Sequence, residues 1–93
     1  MAHHKSAIKR MKQNEKRRLR NRIRKTRMKT AIRAVENAMF EKDVEGVKEK
    51  LREAVSIIAK TAAKGTIHPN KASRKISRLT KRVNKFLEKM NAA

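Results

Sequence analysis

Between Arg17 and Lys29, eight of thirteen residues are basic: Arg17, Arg18, Arg20, Arg22, Arg24, Lys25, Arg27 and Lys29. The guanidinium group is a planar fork of donors that matches a phosphate and also stacks on bases. On a helix these positions point in every direction. Such a helix cannot pack on an apolar core, and its like charges destabilise it in isolation. It suits a crevice with phosphates on more than one side. Folded RNA offers such crevices, whereas readers of duplex DNA commonly set one reading face against a packed face. A second basic set follows near the other end: Lys71, Arg74, Lys75, Arg78, Lys81, Arg82, Lys85 and Lys89. Their spacing forms the back of an amphipathic helix. One flank of that helix carries Ser73, Ser77, Thr80 and Asn84. Small polar side chains there would admit a phosphate backbone; an ordinary solvated ridge would look the same.

Other chemistries lack their residues. A metal site needs convergent ligands, but His3 and His4 sit at the chain start and His68 stands alone as a helix cap. His3-His4 reads as a flexible terminus or an RNA contact. No Ser-His-Asp or Cys-His constellation and no Gly-rich phosphate loop is present, and Asp43 is the sole Asp. The expectation is a protein that is no enzyme and carries no metal or cofactor. Phe40 and Phe86 are the only aromatics. Modules for single-stranded RNA stack bases on several aromatic side chains, so recognition here should rest on the shape and backbone of folded RNA. There is no cysteine, hence no disulfide framework. No apolar run approaches the roughly 18 residues of a membrane span, and no signal-peptide core follows the basic start. A soluble, intracellular protein is expected.

The elements that must position these charges follow from charge distribution and periodicity. The 93 residues carry a net charge of +20, which repels itself and attracts a polyanion. Residues 1–33 hold +13, residues 34–66 hold 0 and residues 67–93 hold +7. Both ends are therefore suited to a polyanion, while the middle suits protein packing or solvent. Gly46, Gly65 and Pro69 are the only Gly and Pro residues, so helix is the default. Ala72, Ile76, Leu79, Val83, Phe86 and Met90 form one stripe at spacings of three and four. Val44, Val47, Leu51, Ala54, Val55, Ile58 and Ala62 form another, and Met28, Ile32, Val35 and Met39, with Ala31 and Ala38 beside them, form a third. Asp43 is the expected N-cap of the middle helix, and Gly65 its left-handed C′ residue. His68 caps the last helix, with Pro69 at the first helical position.

The expected fold is all-α: a three-helix bundle with an elongated, basic first helix projecting beyond the core. The chain reads as one domain (1–93), with a basic arm (1–27) and a bundle (28–93). The core segments are roughly 28–41, 44–64 and 69–90. A first helix running from Ile8 to Glu41 would reach about 50 Å. Its projecting part should fray when free and order on a polyanion.

The residues also resemble a family. The opening Met1-Ala2-His3-His4-Lys5-Ser6-Ala7 with Lys9-Arg10, then Glu15-Lys16-Arg17-Arg18 with Arg20-Asn21, then Lys25-Thr26 and Lys29-Thr30, look like the bacterial small-subunit ribosomal protein S20 family. The most specific stretch is Lys64-Gly65-Thr66-Ile67-His68-Pro69-Asn70-Lys71-Ala72-Ser73-Arg74-Lys75, continuing to Leu79. The resemblance covers essentially the whole chain. It departs at His3, where Asn is frequent, and at Pro69, where Lys is frequent.

The resemblance implies a three-helix bundle in the cytoplasmic ribosome that binds small-subunit (16S) ribosomal RNA. It implies contact with the 5′ domain and with the long penultimate-stem helix of the 3′ minor domain, and an early role in subunit assembly. Other small-subunit proteins would be secondary partners, and neither a homo-oligomer nor a membrane is expected. The expected RNA contacts are Lys5, Ser6, Lys9, Arg10, Lys16, Arg17, Arg18, Arg20, Asn21, Arg24, Lys25 and Arg27 in the arm, and Lys29 just beyond it. A second cluster comprises His68, Asn70, Lys71, Arg74, Lys75 and Arg78. Two rival readings are a nucleoid-type protein, which would bind duplex DNA as well as RNA, and a membrane-active amphipathic or transit segment. The charge-balanced middle helix, the sparse apolar content of residues 1–27 and the absence of Trp argue against the membrane reading.

Overall fold

The computed structural model describes residues 2–92, with side chains from Lys5 to Ala92. It consists of three helices: α1 (Ala2–Phe40), α2 (Val44–Ala63) and α3 (Pro69–Ala92). All three stripes meet as their periodicity requires. Val35 and Ala38 of α1, Val47 and Ala54 of α2, and Leu79 and Val83 of α3 form one core cluster. Met28, Ile58, Ile67 and Ala72 form a second, and Ile32 packs against both. Val35, Val47, Ile58 and Val83 are fully buried. Burying side chains of this size contributes about 1.5–3 kcal/mol each relative to exposure.

Short, well-capped connections hold the helices in place. Between α1 and α2 the Lys42 N–H donates to the Met39 carbonyl and the Asp43 N–H to the Ala38 carbonyl, at 3.1 and 3.0 Å. This closes a Schellman-type C-cap. Lys42 adopts the left-handed conformation (φ 58°) that such a cap needs. Asp43 then starts α2: its carboxylate accepts the Gly46 N–H at 3.1 Å. A Cβ on Gly46 would overlap that carboxylate, so the glycine inside the first turn makes room for the cap.

The end of α2 repeats the geometry. Gly65 (φ 77°) donates to the Ala62 carbonyl, and Thr66 to the Thr61 carbonyl. Asp43 and Gly65 thus hold the capping roles expected of them. At α3 the Asn70 N–H donates to His68 Nδ1 at 3.1 Å, as expected of a cap before Pro69.

Helix α1 begins earlier than the Ile8 start expected from its apolar residues, because nothing before Ile8 breaks a helix. Its 39 residues span about 58 Å. The molecule measures 72 × 23 × 13 Å, with a radius of gyration of 18.4 Å. A compact chain of this length would have a radius of gyration of about 12 Å. The excess is the arm: residues 5–20 are exposed on every side. Two buried positions had no place in the stripes. Ile67, between α2 and α3, inserts into the second cluster. Thr61 is buried with its hydroxyl donating to the Ile57 carbonyl at 2.7 Å, so the polar atom is satisfied inside its own helix.

Candidate nucleic-acid interface

The face of α1 that carries Val35 and Met28 into the core runs on toward the N-terminus through Arg24 and Asn21. Those two are the first half-buried side chains met from the arm's free end. Asn21 Oδ1 accepts a hydrogen bond of 3.0 Å from the Thr66 hydroxyl. Forty-five positions separate the two residues, so this bond fixes the root of the arm against the α2–α3 loop.

Around that bond the cations converge. Arg17, Arg20, Asn21 and Arg24 line a hollow together with Lys64 and Gly65. A second hollow, lined by Arg24, Arg27, Ile57, Lys60, Thr61 and Lys64, shares Arg24 and Lys64 with it. The two make one seam between α1 and the C-terminal end of α2. It holds four arginines and two lysines, and no carboxylate lines either hollow. A neighbouring α1–α2 groove differs. Its floor includes Ile23, Ala31, Ala34 and Ile57, and Glu53 stands at its rim beside Lys50.

Gly65 has a second role here. Its left-handed backbone resists a side chain, and a Cβ would meet only open space. The glycine leaves the mouth of the hollow clear, so a phosphate can approach the backbone. A shared phosphate is held best by cations that reach it from more than one direction, and the seam sets the α1 guanidinium groups opposite the ammonium groups of Lys60 and Lys64.

The other expected contacts are distributed as follows. Lys5, Ser6, Lys9, Arg10, Lys16 and Arg18 lie exposed along the projecting arm, and Lys25 and Lys29 lie exposed outside the seam. His68, which caps α3, is exposed; on the first turns of α3, Asn70, Lys71, Arg74 and Arg78 are exposed and Lys75 is half-buried. On the α3 flank, Ser73, Ser77 and Asn84 are exposed and Thr80 is half-buried. The side chains of His3 and His4 lie outside the described residues. Among the described residues no group of three or more potential ligands gathers for a metal ion. No described helix is long and apolar enough to cross a membrane.

A family model described as Ribosomal protein S20 matches residues 2–84. The chain belongs to the ribosomal protein S20 family. Members of the S20 family are structural constituents of the small ribosomal subunit, and this one is not an enzyme. It is 58% identical over 84 residues to the small ribosomal subunit protein bS20 of Syntrophobacter fumaroxidans, covering 90% of this chain and 98% of that protein. It is 57% identical to the bS20 of Trichlorobacter lovleyi, over 90% of this chain and 97% of that one. The bS20 of Desulfotalea psychrophila is 58% identical over 90% of this chain and 94% of its own length.

Within this S20-family chain, sequence reasoning missed Lys60 and Lys64 as members of the seam. Along the chain both are simply cations near the end of α2, where they complement the helix dipole. Their convergence with Arg24 and Arg27 is a tertiary fact. The one signal for it was antiparallel topology: a short turn after α1 brings the end of α2 back beside the middle of α1.

Proposed function

We propose that the chain binds directly to 16S ribosomal RNA and staples RNA segments together during assembly of the small subunit. The observation that carries this reading is the acid-free seam of Arg17, Arg20, Arg24, Arg27, Lys60 and Lys64, fixed by the Asn21–Thr66 bond. Phosphates of separate RNA elements repel one another, and cations set between them remove that repulsion while releasing counterions. The arm, with Lys5, Ser6, Lys9, Arg10, Lys16, Arg18 and Lys25, enters a crevice of the RNA and becomes ordered there, with Lys29 at its edge. Seam and arm root together form the first anchor. The start of α3, with His68, Asn70, Lys71, Arg74, Lys75 and Arg78, forms a second. The 5′ domain and the 3′ minor domain are the segments joined. The rigid bundle sets the distance between them.

The test is equilibrium binding to a folded 5′-domain fragment, titrated in salt, against duplex DNA of equal phosphate number. Neutralising six or more phosphates makes affinity fall about a thousandfold or more between roughly 50 and 200 mM salt. A preference for RNA at every salt concentration supports the reading. Coincident curves replace it with the nucleoid reading, because charge alone would then account for binding.

A further inference from the structure

Phe40 is the most exposed large apolar residue of the described chain, at 89%. It does not stand on a bare surface. With Met39 of α1 and Phe86, Lys85 and Lys89 of α3 it lines a hollow at the opposite end of the bundle from the seam. The remaining two lining residues, Glu36 and Arg82, neutralise one another through a 3.1 Å ion pair. Lys85 and Lys89 are left as the net charge of the hollow. They are four residues apart on α3, so they share a face with Cβ atoms about 6 Å apart.

We propose that this hollow seats one unpaired nucleobase of the bound RNA, stacked on the Phe40 ring, with the adjoining phosphates at Lys85 and Lys89. The inference rests on the RNA-binding reading above and adds a specificity-determining contact to it. A flat apolar ring flanked by cations matches a nucleotide in both of its parts: the base has a π-face and the backbone has charge. A protein partner fits less well. A stable protein interface buries on the order of 1,000 Å² in total around a core of several buried side chains, whereas Phe40 is one ring beside half-buried Met39 and Phe86. Two aromatic residues cannot make the multi-base platform of a single-strand module, but one base needs only one ring.

The position gives the contact a purpose. Phe40 lies about 29 Å along α1 from Asn21, so the base would be read far from the phosphate seam. The seam supplies charge that every folded RNA satisfies, and a base in the distal hollow would set register.

The chain contains neither Trp nor Tyr, so a Phe40→Trp variant carries a single indole reporter at the seat. It is titrated with full-length 16S ribosomal RNA, while complex formation is followed independently by the mobility of labelled RNA. The expected result is a marked change of indole emission as the complex forms. Phe40→Ala should bind about five- to a hundredfold more weakly with an unchanged salt dependence. Lys85→Gln with Lys89→Gln should instead lower the salt slope. Because Phe40 is exposed, these variants leave the core intact. Unchanged emission in a formed complex, or wild-type affinity for Phe40→Ala, overturns the seat while leaving the seam standing. Emission that changes only when other small-subunit proteins are added also overturns it, since a protein then covers the ring. Failure of the wild-type chain to form any complex overturns the RNA-binding reading and the seat with it.

Discussion

Helix α1 passes through two environments without a break. From Met28 to Met39 it is one wall of a core, its buried face set by spacings of three and four. From Lys5 to Arg20 every described side chain is exposed, and cations stand on all sides. The backbone is the same and the sources of its order are not. The first half relies on local propensity against mutual charge repulsion, while the second is held by α2 and α3. A single element thus has two kinds of surface: one half is covered by protein and stabilised by it, and the other, among the described residues, is left open.

The largest separation of the two halves should come from charge. If the seam arginines each hold one phosphate, Arg17→Gln, Arg20→Gln and Arg24→Gln together remove three salt exponents of about 0.9. That amounts to roughly a five-hundredfold loss of RNA affinity at about 0.1 M salt. The melting temperature of the free protein should hold or rise, because the seam loses self-repulsion. A combined variant that melts well below wild type would place these arginines in the fold and erase the division.

The converse change is Ile58→Ala. Ile58 is fully buried between Met28, Ile67 and Ala72, and its truncation should cost about 2–5 kcal/mol in a denaturant titration. Leu19→Ala, in the arm at 57% exposure, should change stability by less than about 0.5 kcal/mol. Equal losses at the two positions would mean that the arm shares the cooperative unit of the bundle.

These contrasts follow how much of the molecule could be read along the chain. A stripe such as Val44, Val47, Leu51, Ala54 and Ile58 is local information: spacing within one element states which face is buried. The Asp43 and Gly65 caps are local too, because each is set by residue type and its place beside a periodic run. Ile67 was not legible, since a single apolar residue between helices has no period. Lys60 and Lys64 were not, since joining them to Arg24 and Arg27 requires knowing how α1 and α2 lie together. The bond between Asn21 and Thr66 has the same origin. Sequence gives faces; sites made by two elements appear only when the faces have been packed.

That bond is the hinge of the comparison, as it joins the arm root to the bundle. Asn21→Ala removes its acceptor, and the Thr66 hydroxyl, in half-buried surroundings, loses its partner. The expected cost is about 1 kcal/mol of stability. RNA affinity should fall further than the loss of one polar side chain explains, because Arg17, Arg20 and Arg24 would no longer be held opposite Lys64. A variant with weakened stability and wild-type affinity would show that the seam does not need this tether.

The smallest effect should come from the two left-handed turns. Gly65 and Lys42 occupy equivalent positions after α2 and α1, at φ 77° and 58°. Only glycine adopts that conformation without steric cost, which for other residues is about 1–2 kcal/mol. Gly65→Ala should therefore destabilise by about 1 kcal/mol and, by placing a methyl group at the mouth of the hollow, also weaken RNA binding. Lys42→Gly should instead stabilise. Relief of the strained backbone outweighs the added freedom of the unfolded chain, for a net gain of about 0.5 kcal/mol. Lys42 belongs to neither hollow of the seam, so RNA affinity should scarcely change. If Lys42→Gly lowered both stability and affinity, the lysine side chain would be making contacts of its own that outweigh its strain. The turn beside Phe40 would then belong with the binding half of the molecule.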